Sequence, residues 1–436
     1  MAIFSENGPV ITKEWVKKFF EGDFHWKWKR MMAGNPTGQI HLFQYFDGSE
    51  VALKFCVQDV NAGRGNRGTS YYYDGDYEDY EGYDDDDDDY SYDEPDAGEL
   101  LSNEKAWLKK LRSCPHIIQI LNLSPDVDPL TGRIMEHQIQ DWIYMEHAGD
   151  VSLNLMVLKH RIMYGGEPLP NRILWGIFLC LLRACVEMAF FNAEIDNKPI
   201  ALERTSLETL KQIPPGLLAH NSLRGENLMI PDWNPDLNDP EHNVTPLLQL
   251  IDFGQAEEIS PDDDFWGDGG PQGRDGSRLN LADIAMVMQM CILQNPYDPI
   301  TYPTKHTVTV RWDTFDTWGA TPLALSFDEL TSRAVDPDLL ATVFYCLAFD
   351  VNKQPNLVEV AMYARAKIEK EPPLDDPRES RKAVRDRMHA LAFNAETEER
   401  AEDEDDSLID EAADDEYDDD DNDGIDHEGD IQMTGI

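Results

Sequence analysis

Hydrophobic and polar residues in the first 150 positions form short strand-like runs interrupted by helical segments. Residues 12–21 (TKEWVKKFFE) have the spacing of a short amphipathic helix. Between residues 25 and 57, the runs HLFQYF and VALKFCV flank a turn at residues 47–49, which predicts an antiparallel hairpin or meander. Helical spacing at residues 100–111, followed by strand-like runs up to residue 146, completes a predicted small sheet-rich lobe.

After residue 149 the pattern is mainly helical. A compact stretch of strand-like and glycine-containing segments at residues 217–258 separates the helical segments. Apolar residues recur with a helical period at residues 153–164, 173–194, 279–293, 326–333, 337–348 and 357–368. The pattern therefore predicts a small sheet lobe followed by a larger helical lobe.

The most apolar stretch, residues 173–191 (ILWGIFLCLLRACVEMAFF), is long enough to suggest a membrane span. It nevertheless contains Arg183 and Glu187, which are four residues apart and share one helix face. The stretch is therefore predicted to be a buried helix of a soluble domain.

Acidic residues are concentrated in two segments. Residues 70–99 hold 15 acidic side chains, eight tyrosines and no Lys or Arg, and residues 396–430 hold 21 acidic side chains against the single base Arg400. The Tyr- and Asp-rich run lacks aliphatic residues and cannot form a core, so a disordered Tyr/Asp insertion is predicted at about residues 61–98. The run of like charges predicts a disordered acidic tail at the end.

Net charge, cysteines and the N-terminus narrow the class of protein. A net charge of -48 repels phosphate backbones and anionic lipid head groups, which argues against nucleic-acid and membrane-surface binding. The six cysteines are scattered without a C-x-x-C pair, so buried reduced thiols are favoured over disulfides and zinc ligands. The start of the chain lacks the signal-peptide pattern. We therefore expect a soluble intracellular monomer, cytoplasmic or nuclear.

Two polar motifs lie next to buried strand-like runs. Residues 220–229 read HNSLRGENLM and residues 248–256 read LQLIDFGQA. Asp252 directly follows an apolar run, so its carboxylate can point into a cleft and hold Mg²⁺, and the amide oxygen of Asn227 is the candidate second ligand. The motif V-A-L-K at residues 51–54, far upstream, makes a chance occurrence of all three a poor explanation.

These motifs resemble those of the eukaryotic protein kinase superfamily over roughly residues 22–371. The resemblance implies a bilobal α+β fold with ATP in a cleft between a small antiparallel sheet lobe and a larger helical lobe. It also implies that Lys54 contacts the α- and β-phosphates of ATP and that Glu104, at the head of a helix, is its ion-pair partner. Asn227 and Asp252 are then the Mg²⁺ ligands.

The same resemblance assigns further positions around the ATP cleft. The ATP-binding positions that it implies are Gly34, Gly38, Ile40, Ala52, Lys54 and Glu146. Glu146 lies in the segment that resembles the hinge, where backbone groups meet adenine. The glycine loop is degraded, because Gly34 is displaced from the family spacing and Pro36 removes a backbone N–H.

The catalytic loop departs from the family pattern. Ser222 stands where the pattern has the aspartate that accepts the proton of the substrate hydroxyl. A serine hydroxyl does not ionise near neutral pH, and losing a general base typically costs about 10² to 10⁴ in rate. Arg224 stands where the Ser/Thr-kinase pattern has a lysine and keeps a positive charge near the transferring phosphate. Asn221 replaces the arginine that pairs with a phosphorylated activation segment.

The region after Asp252 also departs from the pattern. It has no A-P-E motif, and Gln354 stands where the family has the arginine that pairs with the glutamate of that motif. Asp283 resembles the buried aspartate that anchors the catalytic loop. A Pro- and Asp-rich loop at residues 231–246 is predicted to lie on the surface.

The resemblance and the departures lead to three hypotheses for function. The leading one is a divergent protein-kinase-like protein of Ser/Thr type that binds ATP and Mg²⁺ and transfers phosphate weakly or not at all. The first alternative is an active protein kinase with a substitute base, since phosphoryl transfer relies mainly on positioning and charge. The second is a non-catalytic scaffold whose acidic arms recruit basic proteins. Whether the chain is an enzyme stays open at this point.

The expected organisation has four parts. They are an N-terminal extension with a short helix at residues 1–21, a kinase-like sheet lobe at 22–148, a kinase-like helical lobe at 149–371, and a charged helix with an acidic tail at 372–436. A protein substrate or partner is expected beside ATP, with a basic protein among the candidates.

Overall fold

The chain divides into two units, Met1–Phe393 and Asn394–Ile436, and all described residues belong to the first. The computed structural model describes residues 13–20, 25–34, 38–57, 96–123, 128, 130, 139–195, 198–199, 205–233, 241–261, 274–295, 305–310, 312–318, 335–370 and 376–393. The acidic tail, the helix expected at residues 326–333 and the Tyr/Asp insertion up to residue 95 lie outside the described residues.

The first lobe is built on a five-stranded antiparallel sheet. Its strands are β1 (Trp26–Gly34), β2 (Gly38–Tyr45), β3 (Glu50–Val57), β4 (Ile120–Leu121) and β5 (Ile139–Glu146). They pair in the order β1-β2-β3-β5-β4, and each neighbouring pair is antiparallel. The turn at Asp47–Ser49 closes the predicted hairpin, with Gly48 at a φ of 90° that favours glycine.

Helix α1 (Lys13–Phe20) packs on this sheet through its apolar face. Val16 and Phe20 are fully buried, and the Phe20 ring lies 4.4 Å from the ring of Phe43 on β2. The helix therefore contributes to the core of the sheet lobe, whereas the sequence suggested an extension that ends before the lobe begins.

Helix α2 (Ala97–Lys110) is the one long helix described in the sheet lobe, and it starts with a capping box. The Asp96 side chain accepts from the Glu99 backbone N–H, and the Glu99 side chain accepts from the Asp96 backbone N–H. Leu101, Trp107 and Leu108 are buried, and the same face carries Glu104. The buried face thus directs Glu104 into the protein.

The second lobe is mainly helical. Its helices are α3 (Leu153–Tyr164), α4 (Asn171–Phe190), α5 (Leu207–Leu210), α6 (Gly276–Leu293), α7 (Pro337–Cys346), α8 (Leu357–Glu369) and α9 (Arg381–Phe393). Short strands connect them: β6 (Val151–Ser152), β7 (Glu194–Ile195), β8 (Lys198–Pro199), β9 (Leu218–Ala219), β10 (Leu228–Ile230), β11 (Gln249–Leu250) and β12 (Glu257–Glu258). These elements confirm the predicted α+β fold, with a small antiparallel sheet lobe and a larger helical lobe.

Helix α4 forms the centre of the helical lobe. It is long and apolar enough to cross a membrane, but 94% of its most apolar window is buried inside the protein, as in a core helix. Its two central charged residues have tertiary partners: Arg183 donates through Nε to Glu241 at 2.9 Å, and Glu187 accepts from His116. These partners explain how a buried core helix accommodates both charges.

The end of the Pro- and Asp-rich loop packs on α4 instead of lying on the surface. Val244 and Thr245 are each 3% exposed. A Cβ at Gly176 of α4 would lie 2.5 Å from the Thr245 hydroxyl oxygen, so only glycine allows this close approach. The surface prediction for residues 231–246 is therefore wrong for this part of the loop.

Residues beyond 371 also belong to the helical lobe. The Glu379 carboxylate accepts from the backbone N–H groups of Asn171 and Arg172 at 2.7 and 2.9 Å, which caps the start of α4. Val384 and Leu391 of α9 are fully buried in the main core. The charged helix thus ends the folded unit at residue 393 and is not part of a separate tail.

Strands β13 (Lys305–Val310) and β14 (Asp313–Trp318) form an antiparallel hairpin that the sequence analysis missed. Val308, Val310 and Phe315 are buried at alternate positions. The alternation in HTVTV was the available signal for this hairpin.

Candidate nucleotide-binding site

Lys54 on β3 lies between two carboxylates from distant parts of the chain. Its Nζ donates to Glu104 Oε2 on α2 at 2.6 Å and to Asp252 Oδ1, just after β11, at 2.9 Å. The sheet lobe supplies the lysine and the helix α2, and the helical lobe supplies Asp252. The structure therefore brings these three predicted residues together where the two lobes meet.

The electrostatic environment gives the two carboxylates different roles. Burial opposes the charge of Lys54, but Glu104 and Asp252 outweigh it and raise the pKa of the lysine. Burial raises the pKa of Glu104, although Lys54 opposes the shift. Burial also acts on Asp252, but Lys54 prevails and the pKa of that carboxyl is lowered. The side chain of Asp252 is 41% exposed and that of Glu104 is 2% exposed, so Asp252 offers a charged carboxylate to a ligand while Glu104 holds the lysine.

A cleft of about 430 Å³ opens beside Lys54. The predicted site residues that line it are Gly34, Gly38, Ile40, Lys54, Ser222, Arg224 and Asp252. The first turns of α2 supply an apolar part of its wall through Ala97, Leu100 and Leu101. A cleft of this size suits a small-molecule ligand, since such pockets typically measure about 300 to 1,000 Å³.

The remaining predicted residues lie around the cleft without lining it. Glu104 stands behind Lys54, and Ala52 is only 6% exposed within the sheet. The Glu146 carboxylate accepts from the Gln119 backbone N–H at 3.1 Å and from Gln249 Nε2 at 2.7 Å. The structure therefore does not bring the side chains of Ala52 and Glu146 into this cleft. The Glu146 backbone N–H donates to the Gln119 carbonyl at 3.0 Å, which leaves its carbonyl as the candidate backbone contact.

The backbone around Asp252 turns its carboxylate towards Lys54. Asp252 has a φ of 67°, in the left-handed region that aspartate tolerates better than most residues. Phe253 is fully buried and packs edge-on against His220, with ring centroids 4.6 Å apart. The buried phenylalanine thus fixes the turn on which Asp252 is presented.

His220 braces the loop that carries Ser222. Its Nδ1 accepts from the Ser222 backbone N–H at 3.2 Å, and its Nε2 lies 3.1 Å from the Ile251 carbonyl, to which it donates as the neutral tautomer. Burial lowers the pKa of His220 to about 4. The imidazole is therefore a structural link between the loop and the strand end before Asp252.

Asn280 of α6 anchors the same loop. Its Oδ1 accepts from the His220 backbone N–H at 2.9 Å, and its Nδ2 donates to the Leu218 carbonyl at 2.8 Å. The sequence analysis gave this role to Asp283, which lies about one turn further along the helix. The amide of Asn280 satisfies both a donor and an acceptor of the loop, which a carboxylate cannot do.

Asn227 lies directly beneath Ser222. Its Nδ2 donates to the Ser222 carbonyl at 2.8 Å and to the Ser222 hydroxyl at 3.0 Å. Asn227 is 8% exposed, and Arg224, between the two in sequence, is exposed and lines the cleft. The amide nitrogen of Asn227 thus holds the loop, which leaves its Oδ1 as the atom that could contact a cation.

Asn221 stands at the position that the resemblance links to phosphorylation of the activation segment. Its side chain is neutral and hydrogen-bonded. Asn221, with a φ of 58°, donates through Nδ2 to the Gln255 carbonyl at 3.1 Å and to Glu257 Oε1 at 2.9 Å. Gln354, in place of the second expected arginine, is 5% exposed and donates to the carbonyls of Arg278 and Cys346. Both neutral side chains are therefore held by hydrogen bonds, Gln354 to two carbonyls and Asn221 to one carbonyl and the Glu257 carboxylate.

Helix α2 is fastened to the segment after Asp252 by two residues that the sequence analysis did not assign to the site. Asn103 Nδ2 donates to the carbonyls of Gly254 and Ala256, each at 2.8 Å. Trp107 Nε1 donates to the same Ala256 carbonyl at 2.9 Å. Because α2 carries Glu104, these bonds hold Glu104 in register with Asp252. No local sequence signal distinguishes them from an ordinary helix amide and a core tryptophan.

Comparison with known proteins gives a likeness of fold. No protein-family model and no curated protein matches the sequence. A chain of the CAK complex from Chaetomium thermophilum bound to ATP-γ-S is similar, with 13% identity, a TM-score of 0.45 and coverage of 83% of this chain and 97% of that chain. The BubR1 kinase domain is similar at 13% identity and a TM-score of 0.45, with 84% of each chain covered. Both TM-scores lie below 0.5, so neither likeness says what this chain binds or does.

Proposed function

We propose that the protein binds ATP with Mg²⁺ in the cleft between its lobes and transfers phosphate weakly or not at all. The observation that carries the proposal is the position of Lys54, whose amine lies 2.6 Å from Glu104 and 2.9 Å from Asp252 at the wall of a cleft. A cation held in place by two carboxylates and facing a cavity is suited to contact nucleotide phosphates.

The residues on the helical-lobe side fit a hydrated magnesium ion. Asp252 keeps its charge and is 41% exposed, and its Oδ1 is engaged by Lys54, which leaves Oδ2 for a ligand. Asn227 does not belong to the described lining of the cleft; its amide nitrogen holds the loop, and its oxygen would reach an ion from beneath Ser222. Hard oxygen ligands of this kind suit Mg²⁺, which usually keeps several waters and binds one or two protein groups together with phosphates. When bound, the ion would neutralise charge on the phosphates.

The proposal that phosphate transfer is weak rests on Ser222. Its hydroxyl accepts from Asn227 and lines the cleft, but it provides neither a base nor a negative charge near neutral pH. Glu226, the nearest alternative carboxylate in sequence, is exposed and accepts from Asn154 Nδ2. It is absent from the described lining of the cleft, so the alternative of an active kinase with a substitute base gains no support from Glu226.

The Ser/Thr-type assignment and the protein partner remain parts of the proposal that rest on the sequence. Arg224 lines the cleft close to Ser222, in the place of the lysine of the Ser/Thr-kinase pattern. A basic protein is the partner that complements the net charge of -48.

Nucleotide binding is tested by thermal denaturation of the full chain with and without Mg-ATP. Ligand at about 100 times its Kd stabilises a protein by about 2.7 kcal/mol, which raises the Tm by several degrees. Lys54→Met and Asp252→Asn should each abolish the rise. The matched controls are Lys353→Met and Asp313→Asn, because these residues form a 2.8 Å Lys–Asp pair away from the cleft. A wild-type protein with no rise in Tm would refute nucleotide binding and leave the scaffold hypothesis.

Phosphate transfer is tested separately with radiolabelled ATP and a generic basic protein substrate. We expect little or no incorporation by the wild-type chain. Incorporation that Asp252→Asn abolishes, at a rate typical of protein kinases of about 1 to 100 s⁻¹, would show that the loss of the base at Ser222 is compensated. Such a result would refute weak transfer without affecting nucleotide binding.

A further inference from the structure

A second cluster of ligand-type side chains lies outside the residues that line the nucleotide cleft. His116 follows α2, Cys180 lies within α4, and His242 lies in the loop before β11. One ligand atom from each residue lies within 4.8 Å of the other two. Cys180 Sγ is 3.7 Å from His242 Nδ1, and the rings of His116 and His242 have centroids 5.3 Å apart.

His116 is oriented by a carboxylate and has one ring nitrogen to spare. Its Nδ1 lies 2.7 Å from Glu187 Oε1, and its backbone N–H donates to Glu187 Oε2 at 3.0 Å. Its Nε2 is buried and has no hydrogen-bond partner among the described residues. A histidine that donates one N–H to a carboxylate and keeps the other nitrogen free is the usual arrangement of a metal ligand. Because Glu187 holds Nδ1, Nε2 is the nitrogen left for an ion, with the Cys180 thiol as its neighbour.

We propose that His116, Cys180 and His242 bind a zinc ion, with Glu187 as the carboxylate that orients His116. In tetrahedral zinc sites the Zn–N and Zn–S distances are about 2.0 to 2.1 Å and about 2.3 Å, which places nitrogen and sulfur ligands about 3.6 Å apart. The 3.7 Å between Cys180 Sγ and His242 Nδ1 agrees with this value. Three protein ligands leave a fourth position for water.

The charges of the cluster also fit a divalent ion. The Cys180 thiol must release its proton to solvent on binding, and the resulting thiolate together with the Glu187 carboxylate balances two positive charges. A buried site needs this balance, because an uncompensated charge in the interior is costly. Imidazole and thiolate together favour zinc over magnesium or calcium, which prefer oxygen ligands.

For every cysteine, the sequence analysis favoured a buried reduced thiol over a zinc ligand. The position of Cys180 in the fold shows why the sequence does not indicate this cluster. Cys180 and His242 are 62 positions apart and belong to no spaced motif. Cys185, in the same helix, is also buried, but it belongs to no described group of ligand-type side chains. Only the packing of the loop end on α4 brings His242 to Cys180.

The proposed ion would support the strand that leads to Asp252. The Leu250 backbone N–H donates to the His116 carbonyl at 2.9 Å, and the Ile118 N–H donates to the Leu250 carbonyl at 3.0 Å. The ion would therefore join the loop after α2, helix α4 and the loop before β11 at a point close to the cleft. Its role would be structural, since none of the three ligands lines the described cleft.

Zinc binding is tested on the full chain after chelator treatment and exchange into metal-free buffer. The chain is titrated with zinc chloride, and bound zinc is counted by mass spectrometry. We expect one tightly bound zinc per chain, and in a parallel cobalt titration a thiolate-to-cobalt charge-transfer band. Cys180→Ser and His242→Gln should lose both signals. Glu187→Gln should keep the stoichiometry and weaken the affinity about 10- to 100-fold.

Matched controls separate this site from zinc held by the many acidic residues. Cys185→Ser removes a buried thiol of the same helix, and His389→Gln removes an exposed histidine of α9, so both should bind zinc like the wild type. If Cys180→Ser fails to fold, the His242→Gln variant decides, because His242 is only half-buried in a loop. No tight zinc in the wild type, or zinc and a cobalt spectrum that persist in Cys180→Ser or His242→Gln, would overturn the proposal. The cluster would then be a packed thiol between imidazoles.

Discussion

Removing both donors to the Ala256 carbonyl should destabilise the protein by more than the two single changes together. Asn103→Ala deletes two hydrogen bonds at 2.8 Å, and Trp107→Phe deletes one at 2.9 Å. At about 0.5 to 1.5 kcal/mol for each bond, we expect losses of about 1 to 3 kcal/mol for the first variant and about 1 kcal/mol plus a packing cost for the second. Each single variant leaves the Ala256 carbonyl with one donor.

The double variant leaves that carbonyl buried without a side-chain donor, which costs about 1 to 3 kcal/mol more. This extra cost is the coupling energy of a double-mutant cycle, in which the packing cost of Trp107→Phe cancels. The assay is urea denaturation of the wild type, both single variants and the double variant. Asn103→Ala combined with Trp175→Phe serves as the control, because Trp175 is a buried tryptophan whose Nε1 donates elsewhere, to Asp336 at 3.0 Å.

Additive losses, with a coupling below about 0.5 kcal/mol, would refute the shared-acceptor explanation. They would mean that water replaces the lost donors and that α2 is not fastened at this carbonyl. If the coupling is found, the same double variant should also bind Mg-ATP more weakly than either single variant, because α2 carries Glu104. The second measurement depends on the proposed function, whereas the first does not.

Four further predictions address the loop, the pH dependence, the packing of α4 and the tail. Ser222→Asp should raise phosphate transfer by about 10² to 10⁴ if the base is the only missing group, and an unchanged rate in the radiolabel assay would show that the rest of the loop is also incompetent. His220 has a pKa of about 4 in the fold and titrates near its usual 6.5 when unfolded, so it should contribute a fall of up to about 3 kcal/mol in the free energy of unfolding between pH 6.5 and pH 4. His41 and His160 have similarly lowered pKa values and add to the total fall, so the His220 share is the difference between the wild type and His220→Gln in urea denaturation across pH. Gly176→Ala should destabilise by about 1 to 3 kcal/mol in thermal or urea melts through its clash with Thr245, and Thr245→Ala should rescue it; a harmless Gly176→Ala would contradict the close approach. Deleting residues 396–436 should leave the Tm within one degree or so of the wild type, because the folded unit ends at Phe393, and a large drop would contradict that boundary.

The parts of the site that lie within local motifs could be predicted from the sequence. Lys54 lies within an apolar strand run, and Asp252 follows an apolar run and precedes a glycine by two residues, so both positions are marked by neighbouring residues. Glu104 has no such local mark, since an acid in the first turns of a helix needs a tertiary partner to gain a role. The structure supplies that partner through the buried face of α2.

The features that the sequence analysis did not predict depend on tertiary contacts, which leave no local pattern in the sequence. Asn280 and Asp283 lie in the same helix, and only the direction of each side chain decides which one meets the His220 backbone. The burial of Thr245 follows from a glycine far away in the chain, at residue 176. The composition of the loop at residues 231–246 predicts an exposed segment, because proline and aspartate at its start outnumber the apolar residues at its end.

The described contacts around Asp252 imply a site that is assembled before any ligand or modification arrives. Asn103 and Trp107 fasten α2 to the segment after Asp252, and Asn221 is bonded to Glu257 in that segment. In the family pattern that the sequence resembles, an arginine at the position of Asn221 pairs with a phosphate. Here a neutral amide already has a carboxylate partner, and an added phosphate near Glu257 would meet negative charge instead of an arginine. On the proposed function, a cleft already held by these hydrogen bonds would lose little conformational entropy on binding a nucleotide, which favours constitutive binding over a phosphorylation-dependent switch.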